Sequence, residues 1–287
     1  MKRFVPAILI AAFLLTSCGV ANLERKSVQN QENPDSLSVI HAPWKWSTTA
    51  SGVTTGYATF PLFGKQASIS VAHYPAASLS LSVAYNTGSE CLTTSQAGLR
   101  EGAKAAINGS YFNMTTLVAT TFYATGGKII CGNALDTRTN GIVGISDGGH
   151  TVEILEASTY DFDSYAAEYS DVLASGPVLM QHGKIVLNPG NDFNDTSHPR
   201  SIIGKDADGE IWMIVIDGRF EGLGEGATIN ECSLICRYLG LTDAINLDGG
   251  GSSSVWTPET GTINHPCDNK QWDHLGERKD PTIFIAK

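Results

Sequence analysis

Two apolar runs with one amphipathic segment between them constrain the fold of this chain more than any other feature. Residues 211–216 precede the amphipathic segment 228–239, and residues 244–247 follow it. In the middle segment apolar residues recur at the spacing of one helix face, Thr228 begins a capping box, and Gly240 stands where the helix would end. The pattern predicts a strand, a helix and a second strand, which is the order of a crossover unit.

Most other apolar runs are short and are separated by turns that contain glycine. Residues 52–85 hold several strand-like runs, and the segments 126–127, 147–149 and 206–209 indicate hairpin turns. A short helix is predicted over residues 93–104. We therefore expect an α+β fold, in which a mixed, largely antiparallel sheet packs with a few helices in a single catalytic-type domain.

Length and charge exclude several classes of protein. A chain of 287 residues is long enough for one large domain or two small ones, and its 42% hydrophobic residues exclude wholesale disorder. The net charge of −10 argues against a nucleic-acid partner, which would select a basic surface. No apolar run reaches the roughly 20 residues of a membrane-spanning helix.

The first residues have the pattern of a bacterial export signal. Lys2 and Arg3 precede an apolar stretch over residues 5–15, and small residues then lead to Cys18, as in a lipobox. We predict that residues 1–17 are a signal peptide and that Cys18 is lipidated after cleavage. The protein would then be exported and lipid-anchored to a bacterial membrane, in the periplasm or at the cell surface. Removing the signal changes the net charge to 17 − 29 = −12.

The remaining chain divides by composition. Residues 18–44 are polar and aperiodic, and are predicted to be the lipidated cysteine and a flexible tether. Residues 45–99 are predicted to be a strand-rich lead-in, and residues 100–287 the catalytic-type domain. The five cysteines beyond Cys18 show neither a CxxC pair nor a zinc spacing, so we expect no disulfide framework and no structural zinc.

Polar residues and glycines follow apolar runs in five places, where binding sites are commonly built. Each place carries at least one group that can bind or react, such as an amide, a guanidinium, a carboxylate or a series of backbone N–H groups. The five stretches are 107–112, 198–201, 216–219, 246–254 and 276–278.

The stretch with three consecutive glycines is the most distinctive. Residues 249–251 lack side chains, so their backbone N–H groups can turn towards one point and bind an anion, with Ser252 as a hydroxyl donor. A glycine-rich turn between two strands explains the same residues, but Asp248 beside an anion site is costly unless it is paired or reactive. The patterns of a Walker A loop and of a serine nucleophile elbow are absent from this stretch of sequence.

Three carboxylates and three guanidinium groups lie in these stretches: Asp217, Asp248, Glu277, Arg200, Arg219 and Arg278. Structural salt bridges explain each of them taken singly. Together with a glycine-rich anion site, however, they are the groups that a phosphate-bearing substrate and carboxylate catalysis require.

Metal-binding patterns in the sequence are weak. His198, His265 and His274 have no telling spacing, and we expect them to be supporting or surface residues. The segment 206–209 begins like a calcium loop but lacks the glutamate at its twelfth position, so a hairpin turn is the simpler interpretation. No cofactor is predicted, although two strand-end aspartates leave a Ca²⁺ or Mg²⁺ ion open as an alternative.

The order and wording of these motifs resemble those of the phosphodiester glycosidases, the family related to the lysosomal mannose 6-phosphate uncovering enzyme. The resemblance covers about residues 100–287, and its most specific part is the string Asn-Leu-Asp-Gly-Gly-Gly-Ser at 246–252. Ser110 stands where the family more commonly has glycine, and the resemblance does not explain residues 19–95. The matching stretches are 106–112, 198–201, 215–219, 244–253 and 276–278.

This resemblance implies a hydrolase that cleaves a sugar-1-phosphodiester between the anomeric carbon and the phosphate oxygen. Because the leaving phosphate is stable as an anion, such a site needs charge stabilisation more than a strong general acid. It still needs a carboxylate as nucleophile, as general base or as stabiliser of an oxocarbenium-like centre. We expect Asp248 in that role, with Asp217 second and Glu277 third.

Other residues are expected to bind the substrate. The arginines and the glycine-rich loop would bind the phosphate, and Asn108 would bind a sugar hydroxyl or position the phosphate. Pairing with an acid explains Arg219 equally well. The substrate-binding candidates are Asn108, Gly109, Arg200, Arg219, Gly249, Gly250, Gly251, Ser252 and Arg278.

Two alternatives to this hydrolase stay open. One is a non-catalytic lipoprotein that binds a glycan or phosphoglycan on the same scaffold, and the other is a metal-assisted phosphodiesterase that breaks a P–O bond. The expected partners are a small-molecule or glycan substrate carrying a phosphodiester and, through the lipid anchor, a membrane, but no nucleic acid.

Overall fold

The computed structural model describes residues 33–132, 138–157 and 162–287. The predicted signal peptide, Cys18 and the predicted tether up to residue 32 lie outside the described residues. The described residues form five helices: α1 Pro34–Ile40, α2 Thr94–Glu101, α3 Phe162–Glu168, α4 Asp192–Asp195 and α5 Ile229–Leu239. Among these ranges no helix is both long and apolar enough to cross a bilayer.

The same residues form twenty strands, most of them short. Their bounds are β1 Lys45–Thr48, β2 Thr54–Leu62, β3 Lys65–Pro75, β4 Leu81–Tyr85, β5 Ala105–Asn108, β6 Phe112–Asn113, β7 Val118–Ala119, β8 Tyr123–Thr125, β9 Lys128–Cys131, β10 Gly141–Ser146, β11 Thr151–Glu156, β12 Asp171–Ser175, β13 Val178–Gln181, β14 Lys184–Ile185, β15 Arg200–Asp206, β16 Glu210–Ile216, β17 Leu241–Asn246, β18 Val255–Thr257, β19 Gly261–Thr262 and β20 Thr282–Ala286.

Four antiparallel sheets organise these strands. The largest has the order β1-β2-β3-β16-β15-β17-β13-β14, two five-stranded sheets have the orders β11-β10-β12-β8-β9 and β19-β18-β5-β20-β4, and β6 pairs with β7. Strand β15 pairs antiparallel with both β16 and β17, so these two neighbours run parallel to each other. Helix α5 connects β16 to β17. The three elements form the predicted crossover unit, and β15 lies between its two parallel strands. The α+β class with a largely antiparallel sheet is thereby confirmed.

Helix α5 begins and ends as its sequence predicts. Thr228 and Glu231 form a reciprocal capping box, and Gly240 ends the helix in a left-handed conformation with φ 85°. The apolar face of the helix packs on one side of the large sheet. Helix α2 repeats the arrangement, with Thr93 in its own capping box.

Both faces of the large sheet are buried, and strand β16 shows why its sequence is a continuous apolar run. Met213 and Val215 face the core between the large sheet and the two five-stranded sheets. Trp212 and Ile214 point to the opposite face, into the core that also contains the apolar residues of α5. A strand that is buried on both faces needs no polar alternation.

The prediction of a flexible tether is wrong for residues 34–40, which form helix α1. Asn33 caps this helix through its side chain, and Pro34 occupies the first turn. Val39 is buried in the core that also contains α5, and the Asn33 amide donates to the Tyr238 hydroxyl at 2.9 Å. The polar composition of residues 18–44 concealed these few anchoring contacts.

Several predicted site residues lie at one end of the large sheet. Arg200 opposes Ile216 in the β15–β16 register, and Ile202 opposes Asn246 in the β15–β17 register. The residues that follow β16 and β17 therefore emerge near the beginning of β15. The Asp248 N–H donates to the Gly109 carbonyl oxygen at 3.0 Å, which joins this end to the end of β5 in the neighbouring sheet.

Candidate functional site

The glycine-rich loop after β17 is held against the beginning of β15. Residues 250–252 form one 3₁₀ turn, and the Gly250 N–H donates to the Pro199 carbonyl oxygen at 2.9 Å. Gly250 has φ 63°, a conformation that favours glycine. A Cβ atom on Gly251 would collide with the Arg278 guanidinium, so the glycines let an arginine approach the loop backbone closely.

Asp248 lies at the start of this loop, and two donors among the described residues hydrogen-bond to its carboxyl group. The Gly249 N–H donates to Oδ1 at 3.0 Å, and the Ser252 hydroxyl donates to Oδ2 at 2.8 Å. Burial raises the pKa of Asp248 to about 6, against the lowering effects of Ser252, Arg138 and Arg278. The group can therefore exchange a proton near neutral pH.

Asn108 and Gly109 support this loop from below. Asn108 is fully buried, donates to the Asp248 carbonyl oxygen at 2.7 Å, and accepts from the Ser201 hydroxyl at 2.7 Å and the Ser254 N–H at 3.2 Å. Gly109 lies so close to Thr282 of β20 that a Cβ atom would collide with it. The structure thus places Asn108 and Gly109 beneath the loop, where they fix the position of Asp248.

A second carboxyl group, which the sequence analysis missed, lies beside Asp248. Asp280 is 2% exposed, and no donor in the described structure makes a well-formed hydrogen bond to either of its carboxyl oxygens, although the Ser252 hydroxyl lies beside them. Burial and the charge of Asp248 raise the pKa of Asp280 well above its usual value. Asp280 stands two residues beyond the Gly-Glu-Arg stretch, so its position next to Asp248 has no local signal in the sequence.

Guanidinium groups surround the two carboxyl groups. Arg278 pairs with Asp268 through its Nη2 at 2.5 Å and its Nε at 3.1 Å, and its charge lowers the pKa of both Asp248 and Asp280. Arg219 lies against Gly250 of the same loop, donates to Cys267 Sγ at 3.6 Å and has φ 71°, a strained conformation for a residue with a side chain.

Arg138 is a further cation near Asp248 that no motif indicated. Its guanidinium lies 3.9 Å from the centroid of the Tyr111 ring, and its charge lowers the pKa of Asp248. It comes immediately after residues 133–137, which lie outside the described ranges. Three arginines therefore contribute positive charge around the predicted anion site.

Arg200 is enclosed by protein, and its guanidinium lies 4.6 Å from the centroid of the Phe193 ring, which Arg138 also approaches at 5.2 Å. It is 1% exposed and donates to the carbonyl oxygens of Ala227 at 2.9 Å, Phe193 at 2.7 Å and Thr196 at 2.9 Å. Burial lowers its pKa. These contacts give Arg200 a supporting position behind the loop and do not direct it at a ligand.

Asp217 is saturated with donors. Its Oδ1 accepts from the His265 N–H at 2.9 Å and from the Asn264 amide at 3.1 Å. Its Oδ2 accepts from the Ser68 hydroxyl at 2.7 Å and from His265 Nδ1 at 3.3 Å. With 1% exposure, this carboxylate orients the His265 imidazole and is closed to a ligand.

Glu277 is likewise occupied by neighbours. Its Oε1 accepts from the Ser95 N–H at 3.0 Å and the Ser254 hydroxyl at 2.7 Å, and its Oε2 accepts from the Ser95 hydroxyl at 2.5 Å. Glu277 therefore fastens the beginning of α2 to the segment before β20, next to the loop that holds Asp248.

His265 and Glu277 line a separate groove of about 1200 Å³. Its walls come from β1 and β2, the beginning of α2, the β18–β19 turn and the segment 263–277. The charged side chains in this lining are Lys45, Glu259 and Glu277, so the groove carries more negative than positive charge and is otherwise rich in hydroxyl groups.

The histidines and cysteines form no metal site in the ranges that the structure describes, where no three His, Cys, Asp or Glu side chains cluster in a way that could hold an ion. The His274 Nδ1 lies 2.7 Å from the Asn264 carbonyl oxygen, and His198 is half-buried near Arg219. The five described cysteines are free and buried: Cys91, Cys131, Cys232, Cys236 and Cys267.

The family model for phosphodiester glycosidases matches residues 101–287. The chain belongs to the phosphodiester glycosidase family. The match contains the glycine-rich loop, Asp248, Asp280 and the three arginines, and leaves out β1 to β4. Three of those strands are nevertheless hydrogen-bonded into the large sheet of this family member.

Solved structures show the same fold. The catalytic domain of zebrafish N-acetylglucosamine-1-phosphodiester alpha-N-acetylglucosaminidase, auto-inhibited by its pro-peptide, is 19% identical with a TM-score of 0.61, and the similarity covers 84% of this chain and 80% of that one. A hypothetical protein from Synechocystis is 15% identical with a TM-score of 0.63, covering 86% of this chain and 64% of that one. No curated protein matches the chain.

Proposed function

We propose that the protein hydrolyses the glycosidic bond of a sugar-1-phosphodiester at the glycine-rich loop. The observation that carries the proposal is the Asp248 carboxyl group, with a pKa of about 6, at the start of a glycine-rich loop against which Arg219 and Arg278 lie. Family membership supports the same class of reaction. The sugar would lie over Asp248, and the phosphate would lie against the loop and the arginines.

The chemistry follows from the charges. The bond between the anomeric carbon and the phosphate oxygen breaks, its electron pair leaves with the phosphate, and a water oxygen ends on the anomeric carbon. Arg278 and Arg219 would stabilise the anionic leaving group. Asp248 is largely ionised above pH 6 and would either attack the anomeric carbon or accept the proton of the attacking water.

Sugar release tests this proposal. The purified protein is incubated with UDP-N-acetylglucosamine and a panel of sugar-1-phosphate methyl esters in ¹⁸O-labelled water, and we expect free sugar that carries the label. Label in the phosphate would instead indicate P–O cleavage, the reaction of a metal-assisted phosphodiesterase. If no ester in the panel releases sugar, the proposed reaction is contradicted.

The groove supports a second candidate function, which is the binding of a glycan without hydrolysis. Its polar lining offers hydroxyl, amide and imidazole groups to sugar hydroxyls, and its net negative charge disfavours a phosphate ligand. We expect neutral oligosaccharides to shift the NMR signals of groove residues such as Tyr57 and His265. Retention of binding in Asp248→Asn, with no turnover in the unmodified protein, would favour this function over the first.

We also propose that the protein is a lipoprotein anchored through Cys18. The support is the signal-like composition of residues 1–17 and the cysteine that follows them. Cells that express the protein should incorporate labelled palmitate into it and retain it in the membrane fraction. Cys18→Ser should lose both properties, and unchanged labelling in this variant would contradict the anchor.

A further inference from the structure

Asp280 is the least compensated polar group near the candidate site. Its carboxyl oxygens are buried, and no donor in the described structure makes a well-formed hydrogen bond to them, whereas Asp248 beside it has two donors. An ionised carboxylate buried without donors is very costly, because nothing replaces its lost hydration. A proton on Asp280 removes most of this cost.

The direction of one hydrogen bond points to the same conclusion. The Ser252 hydroxyl lies beside both carboxyl groups, and its single proton is directed to Asp248 Oδ2 at 2.8 Å. Towards Asp280 the Ser252 oxygen can therefore only accept. A neutral Asp280 can supply the O–H that this oxygen accepts, and an ionised Asp280 cannot.

The charges that face Asp280 favour its neutral form. The carboxyl group of Asp248 lies across Ser252, and that of Glu277 lies on the same segment as Asp280. The Cys91 thiol, on the segment before α2, also lies near Asp280, but burial raises its pKa and it carries no charge at neutral pH. Arg278 is the cation that acts on Asp280 most strongly among the described residues, but it is paired with Asp268. Burial and the charge of Asp248 outweigh its effect, so the pKa of Asp280 is well above its usual value.

We propose that Asp280 carries a proton at neutral pH and donates a hydrogen bond through it to Ser252 Oγ, so that the chain Asp280–Ser252–Asp248 holds the reactive carboxylate in place. No proton is consumed in this arrangement, because Asp280 keeps its own and Ser252 keeps its own. Asp280 is then a positioning residue: it acts on Asp248 through Ser252 without touching the substrate. Only this last step, the effect on catalysis, rests on the proposed function.

The protonation state can be measured without a substrate. An aspartate is ionised in the unfolded chain above about pH 4, so a folded state that keeps the proton loses stability as pH rises, by about tenfold in the unfolding equilibrium constant per pH unit. Asp280→Asn removes this loss. We expect the ratio of the wild-type to the Asp280→Asn unfolding constant in urea to rise between about pH 6 and 8, above the range in which Asp248 contributes. Asp208→Asn, at an exposed turn, should follow the wild type.

Parallel pH dependences of the wild type and Asp280→Asn would overturn the proposal, since they would mean that Asp280 is ionised in the folded state. If Asp280→Asn fails to fold, the wild-type protein with ¹³C-labelled aspartate gives the answer by NMR. One carboxyl signal should keep its protonated shift at neutral pH, and a full set of ionised signals would contradict the proposal. Stabilisation of the wild type, but not of Asp280→Asn, by added Ca²⁺ or Mg²⁺ would also overturn it, because a cation and not a proton would then occupy this place.

The effect of Asp280 on catalysis is tested separately, by the pH dependence of kcat/KM. Asp280→Asn should leave the acidic limb of kcat/KM where the wild type has it, because asparagine is also neutral and its amide also donates to Ser252. A limb that moves a full unit to lower pH in Asp280→Asn would show that Asp280 is charged in the wild type. Absence of all sugar release would count against the proposed function alone, since the unfolding experiment does not depend on it.

Discussion

Asp217 and Asp248 have nearly the same local sequence and very different surroundings. Each follows a buried apolar strand, and each precedes a glycine. Asp217 accepts four hydrogen bonds and is closed to solvent, whereas Asp248 accepts two and has a second carboxyl group next to it. The number of donors, and not the motif, separates a carboxylate that organises the fold from one that can react.

The same contrast applies to the cations. Arg200 donates its hydrogen bonds to three carbonyl oxygens and thereby connects β15 to α4 and to the segment before α5. Arg278 has Asp268 as its ion partner and lies against the backbone of Gly251. A phosphate at the loop could share the guanidinium of Arg278, but it could not reach the fully enclosed Arg200.

The largest expected effect is on turnover at the less saturated aspartate. Asp248→Asn should reduce kcat for sugar release by about 10³-fold or more, because the amide can neither attack the sugar nor accept a proton. The matched variant Asp217→Asn keeps the shape of the other aspartate, and its residual activity should be much higher once the fraction of folded protein is taken into account. Equal losses in both variants would remove the distinction between the two sites.

The free energy of unfolding should be more sensitive to substitution of Asp217 than of Asp248, the reverse of the effect on turnover. Asp217→Ala leaves the buried donors of Ser68, Asn264 and His265 unpaired, and should lower the free energy of unfolding by about 3 kcal/mol or more. Asp248→Ala removes a carboxyl group that burial already disfavours, and should cost much less. Urea unfolding at pH 7 measures both variants, and a larger loss for Asp248→Ala would contradict the comparison.

Local sequence patterns predicted the helices, strands and turns that carry the site, but not which of its residues are structural and which are free to react. The capping box at Thr228, the left-handed Gly240 and the hairpin at 206–209 depend on neighbouring residues, and the structure has all three. The position of Asp248 beside the glycine-rich loop was predicted for the same reason, whereas the partners of the Gly249 and Gly250 N–H groups, which are Asp248 Oδ1 and the Pro199 carbonyl oxygen, were not. The predicted features are short-range, so a single sequence is enough to find them.

The remaining features depend on contacts between distant segments. Asp217 meets Ser68 across 149 residues, and Asn108 meets Asp248 across 140. Asp280 and Arg138 reach the site only because β20 lies beside β5 and because the chain returns past Tyr111. No periodicity or motif encodes such proximity, so the sequence could rank Asp217 second and could not indicate Asp280.

Loss of the bidentate pairing geometry at Arg278 should have an intermediate effect. Arg278→Lys keeps the charge but loses the planar fork, and should reduce kcat/KM by the equivalent of about 1–3 kcal/mol. Arg100→Lys, at a surface pair with Glu101, provides the matched control and should leave kcat/KM unchanged. Wild-type kinetics in Arg278→Lys would place the phosphate elsewhere, for example against Arg138.

The smallest effects should come from substituting Ser68, which donates to Asp217, and Ser252, which donates to Asp248. These two substitutions distinguish the roles of the two aspartates most clearly. Ser68→Ala removes one of four donors to Asp217 and should cost about 1.5 kcal/mol of unfolding free energy, without moving the pH dependence of turnover. Ser252→Ala removes a donor that lowers the pKa of Asp248, so the acidic limb of kcat/KM should move to higher pH. Activity that depends on ionised Asp248 falls as the pH drops through about 6 in the wild type and would begin to fall earlier in this variant. If Ser68→Ala moves the limb and Ser252→Ala does not, Asp217 is the titrating carboxylate and the assignment of the two roles must be exchanged.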